Sequence, residues 1–272
     1  MKKLLRNIIP IFLIAFNSYS QSITSGRTKV FEQYNTEFGK PKEIKNKNTF
    51  YNKSGKEIKE EKITFSKNLD TITELRYKNS QLDARLVFIF DEDKNLIFRS
   101  FKNKVPLFGW QSQKAEYKYN RKGIQEINDL DPNNNILRKA IFENDSIGNP
   151  ISMKLYDRNN NLLGYETAEY KYSNNSYTYK VYDSKENLKT SSQHTIDNKQ
   201  SKSNNYNEHG DVISYPRNWN ENDNIYYLLE YKYDDMGNWV EKKIYKVEKQ
   251  GDTFVNKEKD RRFKRKIEYW EE

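Results

Sequence analysis

One motif recurs along most of this chain and limits the class of fold that it can adopt. Its clearest copy is the stretch Y-K-Y-D-D-M-G-N-W-V at residues 231–240. Tyr231 and Tyr233 stand two positions apart, so both rings lie on one face of an extended strand. Asp234 and Gly237 supply a turn, because aspartate hydrogen-bonds the backbone ahead of it and glycine accepts positive φ. The stretch therefore predicts a β-hairpin.

Weaker copies of this motif place a large apolar residue near an Asp or Asn, followed by free positions and a turn former. Self-similarity at such a short spacing is typical of repeat architectures. We therefore expect an all-β fold of repeated antiparallel β-hairpins that form a curved open sheet or a short solenoid-like stack. The copies start near Tyr34, Tyr51, Phe90, Tyr119, Leu130, Phe142, Tyr156, Tyr182 and Tyr206.

The motif, Tyr-Asp-x-x-Gly followed by Asn or Lys and an apolar residue, resembles that of the YD-repeat (Rhs-type) family. The C-terminal part, from residues 231–240 to R-K-I-E-Y-W at 265–270, is similar to the closing unit of small secreted YD-repeat proteins from Bacteroidetes-like bacteria. The resemblance extends roughly from Tyr34 to Trp270. It implies stacked β-hairpins and a place in or outside the cell envelope. It implies no catalytic residues, since the family motif is structural.

Residues 1–20 have the pattern of a secretory signal peptide, with a basic start, the apolar run Ile8–Phe16 and small residues ending at Ser20. The apolar run is too short to cross a bilayer and contains Pro10. We expect export to the periplasm, the outer-membrane surface or the extracellular space, with residues 21–272 as a single β domain and no later membrane span. The absence of cysteine agrees with an exported protein without disulfides.

The composition favours a thin aromatic core over a thick aliphatic one. Only 35% of residues are hydrophobic, yet the chain has 21 Tyr, 14 Phe and 4 Trp. Aromatic rings at strand positions bury large areas while tyrosine hydroxyls stay hydrated. The net charge of +9 is spread along the chain, so nucleic-acid binding is not expected. In the basic stretch Lys257–Lys266, apolar residues alternate with charges, which favours a solvated strand face over a polyanion site.

Several segments depart from the simple repeat. Val30, Tyr34 and Phe38 have helical spacing, but the repeat favours a strand there. The run Leu86–Phe90 is consistent with a strand buried on both faces. Two irregular connections are predicted, Asn103–Gln113 and Ser214–Asn224.

Catalytic and metal sites are not indicated by the sequence. His194 and His209, the only histidines, lack a recognisable catalytic or zinc-binding constellation. Acidic residues such as Asp91 and Asp234 fall at turn positions, which explains them without glycosidase chemistry. Three D-x-[DN]-x-N runs imitate the start of an EF-hand loop but lack its glycine and its closing glutamate. No catalytic residue, metal site or cofactor is predicted.

The remaining function classes are recognition and scaffolding. Hairpins that present Tyr and Trp beside polar groups suit a glycan or an envelope protein. Trp110 and Trp219 are the candidate ligand-binding residues because they lie in the two irregular connections, although packing against the sheet explains them equally well. Trp239 is expected in the core. The alternatives are a glycan-cleaving hydrolase with unrecognised carboxylates, and a structural envelope protein that self-associates through a last strand, Arg261–Trp270.

Overall fold

A computed structural model of the chain describes residues 22–27, 29–34, 36–196, 204–217 and 224–271. Within these ranges there are two short α-helices, α1 (Ile23–Arg27) and α2 (Val30–Tyr34), one 3-10 helix (Tyr172–Asn174) and seventeen strands. The strands are β1 (Pro41–Asn52), β2 (Gly55–Phe65), β3 (Thr71–Lys78), β4 (Gln81–Phe90), β5 (Leu96–Val105), β6 (Gly109–Asn120), β7 (Gly123–Leu130), β8 (Ile136–Asn144), β9 (Pro150–Asp157), β10 (Leu162–Lys171), β11 (Ser176–Asp183), β12 (Leu188–Thr195), β13 (Asn205–Tyr206), β14 (Val212–Pro216), β15 (Ile225–Tyr233), β16 (Trp239–Gln250) and β17 (Thr253–Tyr269).

The expected all-β fold of antiparallel hairpins in an open sheet is confirmed. The chain divides into two compact units. The described part of the first unit comprises residues 22–27, 117–129 and 136–196. That of the second comprises residues 29–34, 36–116, 130–135, 204–217 and 224–271. The predicted signal peptide lies outside the described residues.

The first unit contains the ladder β8–β9–β10–β11–β12, in which each strand pairs antiparallel with the next. Helix α1 packs on β9 and β10. Ile23 is fully buried there, and its backbone N–H donates a 2.7 Å hydrogen bond to the buried carboxylate of Glu166. The Arg27 guanidinium lies 4.5 Å from the centre of the Tyr177 ring. A buried carboxylate and a cation–π contact therefore anchor α1.

The second unit contains the ladder β6–β5–β4–β3–β2–β1–β17–β16–β15–β14–β13. The first and last strands of the chain are neighbours in it. Strand β17 pairs with β1 on one side and with β16 on the other. Residues 261–264 of β17 pair on both sides, whereas residues 265–269 pair with β1 alone. The interpretation of the last strand as a docking edge stays a hypothesis.

Helix α2 replaces the strand that the repeat favoured for this segment. Residues three apart lie on one side of a helix, so Phe31 and Tyr34 both reach β4. The Phe31 ring packs edge-on against Phe90 at 5.4 Å, and the Tyr34 ring lies 5.2 Å from that of Phe88. The Tyr34 hydroxyl also donates to the buried carboxylate of Glu74. These tertiary contacts select the helix.

The buried side chains are mainly aliphatic residues and phenylalanine, so the expectation of an aromatic core is only partly right. Among the described tyrosines only Tyr177 is buried; the others lie half-buried or exposed, and several of their hydroxyls form hydrogen bonds, as those of Tyr170 and Tyr231 do with backbone carbonyls. In β4, Phe88 and Phe90 are buried whereas Val87 and Ile89 are half-buried. Residues 86–90 are therefore not buried on both faces, contrary to the sequence-based interpretation.

The turn chemistry read from the repeat is confirmed. In six turns, the side-chain oxygen of the first residue accepts the backbone N–H groups of the residues two and four positions later, at 2.8–3.1 Å. Bonds of this kind are worth about 0.5–1.5 kcal/mol each. The residue three positions after the first one has positive φ, as at Gly237. The six turns begin at Asp131, Asp145, Asp157, Asp183, Asn207 and Asp234.

Candidate functional site

The two tryptophans predicted to bind a ligand fall in different situations. Trp110 lies at the exposed start of β6 and retains 49% of its accessible surface. The sequence predicted an irregular connection around Trp110, but the strands on both sides of it pair regularly. Val105 pairs with Gly109 and Lys104 with Trp110, so a tight hairpin joins β5 to β6. Trp219 lies in residues 218–223, outside the described part of the chain.

The histidines and turn carboxylates are occupied by local contacts. His194 Nε2 lies 2.7 Å from the Ser192 hydroxyl, and the His209 ring stacks on Tyr233 with 3.9 Å between ring centres. The Asp234 carboxylate accepts two backbone N–H groups and the hydroxyl of Tyr269 at 2.7 Å. Within the described residues, no group of three His, Asp or Glu side chains is arranged to hold a metal ion.

The second unit has a cleft of about 160 Å³ on β16 and β17, which we call the basic cleft. Basic and phenolic side chains form most of its lining, and none of the described lining residues is acidic. The basic and phenolic residues of the lining are Lys243, Lys259, Arg261, Arg262, Tyr51 and Tyr245.

An irregularity in strand pairing shapes the basic cleft. Ile244 pairs with Arg261, but the next residue, Tyr245, pairs with Lys259, so Asp260 is an extra residue in β17. A β-bulge of this kind bends the strand and redirects the side chains beside it. Ile244 and Tyr245 point to opposite faces of β16, so the bulge places Lys259 on the face of Lys243 and Tyr245 and Arg261 on the opposite face. The Arg261 guanidinium lies there 5.4 Å from the centre of the Tyr227 ring.

Carboxylate partners hold both arginines of the lining in place. Arg262 Nε donates to the buried carboxylate of Glu241 at 2.6 Å, and Arg261 Nε donates to Asp260 at 2.6 Å. Lys243 and Lys259 form no ion pair with any described carboxylate. The cleft therefore combines one fixed guanidinium group, that of Arg262, with two ammonium groups that remain available to an anion.

Tyrosine adds hydrogen-bonding capacity to the lining. The Tyr245 hydroxyl contacts Glu230 at 3.2 Å, and partial burial together with the Glu230 charge raises the pKa of this phenol. The hydrogen bond from Lys257 holds the pKa of Glu230 below its usual value. Glu230 is thus ionised and already paired near neutral pH, and the Tyr245 hydroxyl stays protonated. The lining then presents cations and neutral phenols, and the Tyr245 hydroxyl already donates to Glu230.

The opposite face of the same strands carries a second set of cations, the cation–aromatic cluster. Lys242 pairs across the ladder with Tyr231 on one side and Phe263 on the other. Its ammonium lies 4.9 Å from the Trp239 ring centre and 5.3 Å from that of Phe263. The Arg265 guanidinium lies 3.8 Å from the Trp239 ring centre. Trp239 is half-buried between strand and solvent, so its assignment to the core is wrong.

Burial sets the electrostatics of this cluster. Desolvation lowers the pKa of Lys242, and the nearby Arg265 lowers it further against the opposing attraction of Asp211. Desolvation also lowers the pKa of Arg265. Neither side chain has an ion pair with a described carboxylate, and aromatic faces supply the compensating attraction instead. The cluster is therefore a packed cationic layer, whereas the basic cleft is open to solvent.

The sequence does not reveal the lysines of the basic cleft. Lys243 lies in a strand with charges on both faces, and Lys259 belongs to the basic run that appears as a solvated strand face. What brings them together is the pairing of β16 with β17 and its bulge at Asp260. The only sign of a basic site in the sequence is the low content of acidic residues at 261–267. This does not specify the register in which β17 pairs with β16.

No protein-family model matches the chain, and no curated protein matches it significantly. Among solved structures, a porin-like protein from Bacteroides uniformis ATCC 8492 aligns with 85% of this chain and 98% of its own, at 9% identity and a TM-score of 0.39. The structure TcdB2-TccC3-TEV aligns with 71% of this chain and 14% of its own, at 14% identity and a TM-score of 0.26. At these scores neither likeness carries an argument about function.

Among the described residues, no helix has the length and apolar character needed to traverse a lipid bilayer.

Proposed function

We propose that this protein is an exported, non-catalytic recognition module that binds an acidic glycan at the basic cleft. One observation carries the proposal: the three cations Lys243, Lys259 and Arg262 and two tyrosines lie around a single cleft with no acidic residue in the described lining. Positive charge concentrated in one concave site attracts anions more strongly than the same charge spread over a surface. The fold class and the expected export fit a module of this kind.

The chemistry of the lining favours a sugar that bears a carboxylate, sulfate or phosphate group. Guanidinium groups match such anions with paired N–H donors, and lysine ammonium groups add charge without fixed geometry. The Tyr51 and Tyr245 rings provide flat apolar surface and hydroxyls for the sugar itself. The lining thus has one type of group for each part of an acidic sugar.

The size of the basic cleft also favours recognition. Its volume of about 160 Å³ is below the roughly 300 Å³ at which pockets for drug-sized ligands begin. The cleft accommodates one charged substituent and part of a sugar ring. This is enough for a module that holds a polymer by one of its sugar residues. A hydrolase needs two carboxyl groups that flank the bond to be cleaved. The described lining of the cleft offers none, which favours binding over the hydrolase alternative.

Affinity electrophoresis in gels that contain polygalacturonate or dextran sulfate tests the proposal, with neutral dextran as the reference. The test variant is Lys243→Gln/Lys259→Gln, which removes the two cations of the cleft that lack an ion pair. The matched control is Lys264→Gln/Lys266→Gln, which removes the same charge from exposed positions of β17 outside the cleft. Since hydrogen bonds to charged groups contribute about 1.5–3 kcal/mol, we expect the cleft variant to bind at least about tenfold more weakly.

The control variant separates a built site from general charge attraction. We expect it to retain nearly all of the parent's affinity, apart from a small loss through reduced net charge. Equal weakening in both variants would mean that binding depends on overall charge alone. An absence of retardation for the parent in both acidic gels would refute acidic-glycan binding at this cleft.

A further inference from the structure

The hairpin between β5 and β6 ends in an exposed apolar tip, which we call the apolar apex. Leu107 is completely exposed, and Phe108 and Trp110 keep 57% and 49% of their surface. Leu107 also has a φ of 71°, in the left-handed region that a bulky residue rarely adopts. The backbone is therefore strained at a residue whose apolar side chain is held in water. Strain of this kind is usually found at functional positions.

Basic residues flank this apex. Lys102 and Lys104 are exposed on β5, and Lys104 pairs directly with Trp110, so these side chains share one face of the hairpin. Neither lysine has an ion pair with a described carboxylate. From Leu96 to Ala115 the sequence has no acidic residue. The apex therefore combines an apolar end with a cationic collar.

We propose that the apolar apex inserts into the interfacial region of a lipid bilayer that contains anionic lipids. Tryptophan is favoured at the boundary between headgroups and acyl chains, because its ring is apolar and its N–H seeks a polar partner. Leucine beyond it gains from contact with acyl chains. Lysines just behind it attract anionic headgroups. The residues occur along the hairpin in the order that such an interface requires.

The dimensions of the hairpin agree with shallow insertion. From Lys104 the chain extends about two residues to the tip, which corresponds to about 7 Å at the rise of a β-strand. Apolar groups of interfacial segments lie about 5–10 Å below the headgroups. The collar then lies level with the lipid phosphates. A protein partner is less favoured, because a narrow tip offers little of the area that a stable protein interface buries.

Vesicle flotation tests this inference with two lipid compositions, pure phosphatidylcholine and an equal mixture of phosphatidylcholine and phosphatidylglycerol. The apex variant is Leu107→Ser/Trp110→Ser. The matched control is Ile147→Ser/Leu188→Ser, which removes two exposed apolar side chains elsewhere in the chain. A third variant, Lys102→Gln/Lys104→Gln, tests the collar, and Lys243→Gln/Lys259→Gln tests whether the basic cleft contributes.

We expect the parent to float with the mixed vesicles and the apex variant to bind them at least about tenfold more weakly. The collar variant loses affinity for the mixed vesicles only, whereas the control and the cleft variant bind like the parent. Two results would overturn the inference: a parent protein that stays at the bottom of the gradient, or an apex variant that floats as the parent does. Loss of flotation in the cleft variant alone would assign lipid binding to the basic cleft.

Discussion

Lys242 and Lys243 are neighbours in sequence, yet they lie in opposite environments on the two faces of β16. The rings of Trp239, Tyr231 and Phe263 enclose Lys242, and the resulting desolvation lowers its pKa. Lys243 lines an open cleft with Lys259 and Arg262. The comparison shows that a run of basic residues in a strand forms two different surfaces, one packed against aromatic rings and one open to solvent.

The largest effect is expected where the packed face is broken. Phe263 lies between Lys242 and Asn48 in the ladder, and its ring is edge-on to Phe50 at 6.1 Å. We expect Phe263→Ala to lower the free energy of unfolding by about 2 kcal/mol, less than for a fully buried phenylalanine. Urea unfolding followed by circular dichroism measures the change.

The control for this change lies on the other face. Lys264→Ala alters the next residue of β17, which is exposed, and should shift stability by less than about 0.5 kcal/mol. Similar losses for both variants would contradict the division into a packed face and an open face. The two-sided pairing of β17 also means that a charge at Phe263 would unfold the ladder before it could reveal any self-association.

A smaller effect of opposite sign is expected at Lys242. Methionine has a similar length, packs well against aromatic rings and carries no charge to desolvate. Replacing buried ionic groups by apolar ones is often stabilising, so Lys242→Met should raise the free energy of unfolding by about 1 kcal/mol. Lys243→Met should leave it within about 0.5 kcal/mol. A clear loss of stability in Lys242→Met would show that the cation–π contacts outweigh the cost of burial.

The pH dependence of that gain is the smallest of these effects. Burial holds the folded-state pKa of Lys242 below its usual 10.5, so between these two values the unfolded chain binds a proton that the folded chain lacks. Stability rises with pH across such a window. The advantage of Lys242→Met over the parent should therefore be full near neutral pH and shrink as the pH approaches 10.5. A constant difference in unfolding midpoints from pH 7 to 10 would contradict the assigned environment.

Local chemistry was predictable from the sequence, whereas the pairing of distant strands was not. The turns at Asp131 and Asp234 follow from residues within five positions of each other, and hence the hairpin fold does too. Helix α2 depends on contacts with β3 and β4, so the local repeat pattern misjudged it. The basic cleft depends on the bulge at Asp260, which appears only when β16 and β17 are paired.

The position of the exposed rings shows the same limit. The sequence placed Trp110 in an irregular connection, where it was a candidate for ligand binding or for packing against the sheet. The regular pairing of Lys104 with Trp110 places the ring beside a cation on a rigid hairpin. Pro106 and the positive φ of Leu107 belong to the turn itself. A single sequence gives the composition of such a tip and not its geometry.

The most direct test of the central claim is to change the ligand and leave the protein intact. Isothermal titration calorimetry compares the purified protein with polygalacturonate oligomers before and after chemical reduction of their carboxyl groups. Reduction keeps the sugar rings and removes only the charge that the basic cleft is proposed to recognise. Saturable binding of the acidic form that disappears on reduction is the predicted result. Equal binding of both forms, or of neither, would contradict recognition of an acidic glycan by this cleft.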